Sequence, residues 1–418
     1  MKYLFALLFL PATMLGQVRD TLDLDLLVLE ALANNPELKA AEHNRDAMDE
    51  RAIQAGSFDD PELQYMREEM PGFRWDEAMY SRLELMQMFR FPGKLSTEQS
   101  IAEINVDHAH HELMEKANDV LALLRSSYFE LWFFQQSIAL NRENRELLQQ
   151  FARIAQTRYT VGDVPQQDVL KSYVELARLE NQVSTLHQQQ RSAEAMIIAL
   201  LNRPRGDSLG VAVVDRETVS LPTLDTLQHL ALQFRPMLWH DSLSVEENRQ
   251  VLSLARKEFL PDFTLGIEYV TTPISDFTGW SVRAGITLPF APWTLPKANA
   301  RVEEASLSIM KAQETLNNSR NMVLTSVSDL YFKAQSVKEQ LANYTNTIVP
   351  QSRQALQSSL IAYQTGRTDF LMLIDSYRTL VELSREVLML RMQFEQNIAG
   401  LKRAIGYAGI FEMRKEGN

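Results

Sequence analysis

Apolar residues recur along this chain with two different periods, and the points where the period changes divide it into repeating segments. From about Leu95 to Arg158, apolar positions such as Ile101, Ile104, Leu113, Val120, Leu124, Phe151 and Ile154 are separated by Gln, Asn, Glu and Arg, with neither Gly nor Pro between them. That spacing predicts one uninterrupted helix, and at 1.5 Å per residue it is a rod of roughly 95 to 100 Å. No compact globule needs a helix of that length. A second rod of similar length is predicted from about Ala298 to Tyr363, with a local bend at Pro350.

Each rod ends in a Gly-centred turn, Tyr159-Thr160-Val161-Gly162-Asp163 and Tyr363-Gln364-Thr365-Gly366-Arg367, followed by a shorter return helix from about Gln166 to Leu201 or Asp369 to Ile405. Gly162 and Gly366 suit the left-handed position that closes a helix, and Asp163 is expected to cap the helix that follows. The tips span about 159–165 and 363–369. Two further helices, about Leu24 to Gly56 and Leu224 to Phe259, are expected to precede the rods.

Between opening helix and rod, the period drops from 3.6 to 2. Trp280, Val282, Ala284, Ile286 and Leu288 alternate with Ser281, Arg283, Gly285 and Thr287, while Phe263, Leu265, Ile267 and Tyr269 alternate with Thr264, Gly266 and Glu268. Leu83, Leu85, Phe89 and Phe91 against Glu84 and Arg90 repeat the pattern, after a weaker stretch around Leu63 to Arg67. The predicted strands are 62–70, 80–91, 262–272 and 280–289. About ten residues, apolar on one face and polar on the other, is the signature of an outer-membrane barrel strand.

The chain is written twice. Pro36-Glu37-Leu38 returns as Pro236-Met237-Leu238, Val120-Leu121 with Tyr128-Phe129 as Val323-Leu324 with Tyr331-Phe332, and Tyr159-x-x-Gly162 as Tyr363-x-x-Gly366. A period of about 200 residues is too long for a solenoid and suits two tandem copies of one unit. The copies are expected at 17–210 and 211–406, with a C-terminal tail at 407–418. Met1 to Gly16 reads as a secretory leader, with Lys2 before an apolar run from Leu4 to Leu10.

Bulk composition narrows the function. The formal net charge is −12, and losing Lys2 with the leader leaves −13, which argues against nucleic acid as a partner. There is no cysteine, hence no disulfide and no lipid-attachment site. Beyond residue 16 no stretch of 18 apolar residues occurs, so a membrane would have to be crossed by strands. Four strands per chain cannot close a membrane barrel, so several copies must pool them; three give twelve strands and a water-filled lumen. No Gly-x-Ser-x-Gly elbow, Cys nucleophile or phosphate-binding loop is present, so neither catalysis nor a cofactor is expected.

The leader, the duplicated halves, the paired Tyr-x-x-Gly tips and Leu371-x-Leu373-Ile374-Asp375-Ser376-Tyr377-Arg378-x-Leu380 resemble TolC-type outer membrane efflux proteins over about Leu22 to Gly406. The resemblance implies a mainly α fold with a small β part: two tandem repeats, each with long α-helical hairpins and two transmembrane strands. It further implies a homotrimer with a twelve-stranded β-barrel in outer-membrane lipid and a periplasmic α-barrel. Its partners would be an inner-membrane pump and a periplasmic adaptor meeting Tyr159, Gly162, Asp163, Tyr363, Gly366 and Thr368. The region around Asp375 is closer to the cation and multidrug branch than to the protein-secretion branch. Family members carry two carboxylates at a periplasmic gate; Asp375 matches one, but Met372 stands at the other, leaving Asp375 with Asp369, or a Met372 ring, as the constriction. Arg367, Arg378 and Arg158 are candidates for holding it shut.

The implied function is a passive exit duct for small toxic solutes, metal cations or drugs. The exit duct of a type I protein-secretion system and a pore-less periplasmic spacer or adhesin are the alternatives. Other clusters carry blander readings. His108, His110 and His111 are expected as a solvated group rather than a metal site, and Met86 and Met88 as strand packing or lumen filling. Trp75, Trp280 and Trp293 are expected as interfacial aromatics.

Overall fold

The computed structural model describes residues 21–70, 72, 74–75, 78–207, 209–214, 221–272 and 277–406. The expected leader at 1–16 and the tail at 407–418 lie outside these residues. In chain order the elements are β1 Thr21–Leu22, α1 Leu24–Asn34, α2 Pro36–Ala55, β2 Glu62–Glu68, β3 Tyr80–Phe89, α3 Lys94–Thr160 and α4 Gln166–Leu200. They are followed by β4 Val211–Ala212, α5 Leu224–Phe234, α6 Pro236–Lys257, β5 Phe263–Thr272, β6 Phe277–Ile286, α7 Leu295–Asn343, α8 Val349–Gln364 and α9 Phe370–Ala404.

The opening helices are each broken in two, contrary to the single helices expected. Asn35 (ψ 126°) and Arg235 (ψ 116°) are extended because the proline that follows clashes with a helical predecessor and has no N–H to donate. The restarts use local caps: Asp23 accepts from Asp25 N at 2.9 Å to begin α1, and Thr223 accepts from Thr226 N at 3.3 Å to begin α5. Before Pro350 the second rod passes through a π-helical turn at Tyr344–Ile348, with Val349 N–H donating to the carbonyl of Tyr344. One wider turn accommodates the proline that follows it.

The described residues form two compact units, each assembled from both sequence halves: those within 21–35, 120–221 and 330–401 in one, and those within 36–119, 222–329 and 402–406 in the other. The first unit holds the parallel pair β1–β4 and both hairpin ends. Buried Tyr128 ties that pair, its hydroxyl lying 2.8 Å from the Leu22 carbonyl and accepting from Val213 N–H at 2.9 Å.

The second unit holds a four-stranded antiparallel sheet in the order β2-β3-β5-β6. Register aligns its side chains in rows, and paired residues share a face. Leu63, Leu85, Ile267 and Val282 form an apolar row, and Tyr65, Leu83, Tyr269 and Trp280 form the next. All but Tyr269 in these two rows are exposed. The opposite face carries Gln64, Glu84, Glu268 and Ser281 in one row. Where β3 hands over to α3, Asp262 accepts from Phe91 N–H at 2.7 Å and from Lys94 Nζ at 2.9 Å, fixing the start of the long helix to the sheet. The Lys94 and Phe91 contacts hold the Asp262 carboxyl below its ordinary value despite partial burial. No helix among the described residues is long and apolar enough to cross a membrane.

Candidate functional site: the hairpin ends

The two tips share one backbone motif. Gly162 (φ +84°) and Gly366 (φ +72°) occupy the left-handed region, and each turn closes with a six-residue bond, Asp163 N to Arg158 O at 2.9 Å and Arg367 N to Ala362 O at 2.8 Å. Their side chains diverge. Tyr159 is 39% exposed, whereas its counterpart Tyr363 is 0% exposed. Tyr363 packs on Phe370 with ring centroids 5.5 Å apart, in a core that also contains Phe151, Val169, Leu373 and Tyr377.

Arg158 is the link across this region. Its guanidinium donates to the Tyr363 carbonyl, sits 5.0 Å from the Tyr363 ring centroid, and lies 3.9 Å from Asp163. The Tyr363 hydroxyl donates to Asp168 at 3.4 Å. Burial, with the Asp168 charge adding to it, pushes the Tyr363 hydroxyl up to about 12. Burial also raises Asp168, partly offset by the Tyr363 hydrogen bond. Asp163 is therefore not the cap of α4. Pro165 occupies that position and offers no side-chain acceptor, while Asp163 turns toward Arg158.

A second link joins α4 and α9. Glu175, 9% exposed, pairs with Arg378 and with Arg178 at 3.2 Å. The Glu175 hydrogen bond holds Arg378 above its ordinary value. Only the carboxylate is buried, so removing both arginines leaves Glu175 as an uncompensated buried charge, whereas removing Glu175 leaves two solvated arginines. Tyr377, whose hydroxyl burial raises, donates to the Asn144 carbonyl at 3.3 Å.

Between α4 and α9 runs a groove of about 750 Å³, lined by Leu170, Lys171, Val174, Glu175, Asp369, Met372, Asp375 and Arg378 among others. Asp375 and Met372 are exposed on it. Asp369 caps α9 by accepting from Met372 N at 3.0 Å. Arg367 and Asp369 are exposed and Thr368 half-buried, all lining a second hollow of about 540 Å³ that also touches Arg158, Asp168 and Tyr363.

Of the expected residues, the structure brings Tyr363, Asp163 and Arg158 into one cluster and Asp375, Met372, Asp369 and Arg378 onto one groove. Sequence reasoning missed Glu175 and Asp168. A signal for Glu175 was present: it lies on the stripe Val169, Ser172, Leu179, all buried, where a carboxylate demands a cationic partner.

The other clusters settle differently. His108 and His111 are not solvated: His108 packs edge-on against His240 at 4.3 Å, and His111 stacks on Trp239 at 6.2 Å. Burial lowers both imidazoles, and neighbouring histidines lower them further. Among the described residues no group of three or more His, Cys, Asp or Glu is arranged to hold a metal ion. Met86 and Met88 share the polar face of β3, and Trp75, Trp280 and Trp293 are all exposed.

A family model described as outer membrane efflux protein matches residues 27–203 and 227–407. The chain is 22% identical over 395 residues to the cobalt-zinc-cadmium resistance protein CzcC of Cupriavidus metallidurans, covering 92% of this chain and 90% of that protein. Its fold superposes on crystal structures of CusC, whose transmembrane channel formation has been described, with a TM-score of 0.79 at 17% identity, covering 91% of each chain. It superposes equally well on the Campylobacter jejuni CmeC outer membrane channel, with a TM-score of 0.78 at 15% identity, covering 94% of this chain and 89% of that one.

Proposed function

We propose that this chain, which belongs to the outer membrane efflux protein family, is the exit duct of a tripartite efflux system. The observation that carries the reading is the four-stranded sheet, with an apolar and aromatic outer face, a charged inner face and two unpaired edges at β2 and β6. An exposed apolar sheet with open edges is an aggregation hazard in water. Pooled from three copies in lipid, four strands each make a closed twelve-stranded barrel, with its apolar face to the bilayer and its polar face to a lumen. Energy for transport then comes from an inner-membrane pump, and a periplasmic adaptor meets the tips at Tyr159, Gly162, Asp163, Tyr363, Gly366 and Thr368. Similarity to CzcC favours small toxic solutes such as metal cations over secreted proteins as the cargo.

The gate is read at the hairpin ends. Arg158, Tyr363 and Asp168 form one latch, and Arg178, Glu175 and Arg378 form another; both tie the second hairpin to the first within one copy. Releasing them frees the hairpins to splay, with Asp375 and Met372 lining the passage, and an adaptor drives opening to the extent that it binds the splayed state better. In planar bilayers the wild-type trimer is expected to form channels of low conductance, and Arg378→Ala combined with Arg158→Ala to raise it. A protein that forms no channels sinks the duct; one whose conductance ignores the double substitution sinks the latches.

A further inference from the structure

Several ionisable side chains far along the sequence from the hairpin ends meet where α3 packs on α6. From α3 come His108 and His111, three residues apart and so on one face of that helix; from α6 come His240 and Glu247. The His108 and His240 rings meet edge-on with centroids 4.3 Å apart, His108 Nε2 lies 3.5 Å from a Glu247 carboxylate oxygen, and His240 Nδ1 lies 3.4 Å from Asp241. The His108 side chain is 12% exposed. Neither of its ring nitrogens, nor Nδ1 of His111, has a hydrogen-bond partner among the described residues. A neutral ring in such a place packs as a flat, weakly polar plate, whereas a protonated one brings in a charge and two N–H donors. The groups facing the two α3 imidazoles are Asp107 and His110 from α3 itself and His240 and Glu247 from α6. One turn further along, Glu115 is taken up by Arg235, and on α7 Lys311 lines a hollow with Asp241.

We propose that this cluster is an acid-responsive brace: α3 and α6 pack tightly while the imidazoles are neutral and loosen when mild acid protonates them. Burial, and after it the neighbouring imidazoles, hold His108 and His111 below the ordinary value of about 6.5, and Glu247 offsets only part of this at His108. The packed form therefore binds fewer protons than an opened one. Its stability is complete above the ordinary value and is lost as pH falls from there toward the depressed one. Once charged, His108 and His240 also repel each other across their edge-on contact. The brace acts on α3, the longest helix among the described residues, which runs unbroken from Lys94 to Thr160. It stands apart from the duct reading, because His108, His111, His240 and Glu247 belong to one chain and one compact unit.

Hydrogen exchange of the full chain in membranes, read at the amides of 104–115 and 236–248 and corrected for the intrinsic pH dependence of exchange, measures the opening. Between about pH 7.5 and about pH 5.5 the opening equilibrium should rise, by at most about tenfold for each imidazole kept neutral, since the lower pH is about one unit under the ordinary value. His108→Gln combined with His111→Gln should flatten this response. Should that double variant fail to fold, two single substitutions decide. Glu247→Gln removes the carboxylate that favours a protonated His108 and should enlarge the acid response, whereas His240→Gln removes a like charge and should shrink it. A packing role without titration predicts one and the same ratio between the two pH values in every variant. Wild-type exchange that ignores pH, a double variant that keeps the full response, or single substitutions that do not shift it in opposite directions overturns the brace while leaving the duct intact.

Discussion

The two hairpin tips have the same backbone and opposite fates for the same residue. Tyr159 and Tyr363 each stand three residues before a left-handed glycine, yet one is 39% exposed and the other fully buried. The difference continues along the return helices: Tyr173 is exposed where its counterpart Tyr377 is buried, Gln166 stands where α9 has Phe370, and Lys171 where α9 has Asp375. Duplication has kept the chain-reversing signal and changed what packs behind it. Both hairpins contribute to the core of this region, but the buried aromatics at the tip, Tyr363 and Phe370, come from the second, and the polar groups Arg158, Asp168 and Glu175 come from the first.

The sharpest break of this comparison is to remove both rings in turn. Tyr363→Ala empties a packed site and is expected to cost about 3 to 5 kcal/mol, as buried aromatic truncations do. Tyr159→Ala is expected to stay within about 0.5 kcal/mol. Hydrogen exchange of the amides in α8 and the first turns of α9 reads the difference, and equal effects would mean that the tips are equivalent after all.

The glycines test the shared part. Alanine at Gly162 or Gly366 forces a left-handed conformation on a residue with a Cβ, for about 1 kcal/mol. Gly162 has open space around it, but a Cβ at Gly366 would meet Arg158 Nη2 at 3.3 Å. Gly366→Ala is thus expected to be the costlier by a few tenths of a kcal/mol, and to loosen the Arg158 latch as well. Chemical denaturation of the two variants side by side checks the order.

The smallest effect is acid-dependent. Burial raises Asp168 in the folded state, so the protonated form is favoured there: its stabilisation is present below the ordinary carboxylate value of about 3.9 and is lost as pH rises through the raised one. Exchange protection at the tips of the wild type should therefore fall, relative to Asp168→Asn, as pH climbs through that window. The counterpart of Asp168 in the second hairpin is Met372, which does not titrate, so Met372→Leu should leave the profile unchanged.

Much of the architecture was legible because it is local. Helical spacing ran unbroken through α3, and alternation marked the sheet and even which face of β5 and β6 is apolar, since both depend only on neighbours along the chain. Pro36 and Pro236 were visible as repeat markers, yet their effect on the opening helices was overlooked. Asp163 was misread within its own turn: an Asp ahead of a helix is the ordinary capping pattern, but Pro165 takes the cap position and Arg158, five residues earlier, lies 3.9 Å from the Asp163 carboxylate. Glu175 was hidden for a different reason, because its partner Arg378 lies 203 positions along the chain.

By itself the amino-acid order determined where this chain turns, which segments are rods or strands, and which face of each strand is apolar; all are set by backbone sterics and side-chain period within a few residues. Tertiary structure alone decided that Tyr363 is buried while Tyr159 is not, that Asp168 meets Tyr363 and Glu175 meets Arg378, and that Glu84 faces Glu268 in register. Burial and pairing depend on which distant segment arrives, and two copies of one motif meet different neighbours.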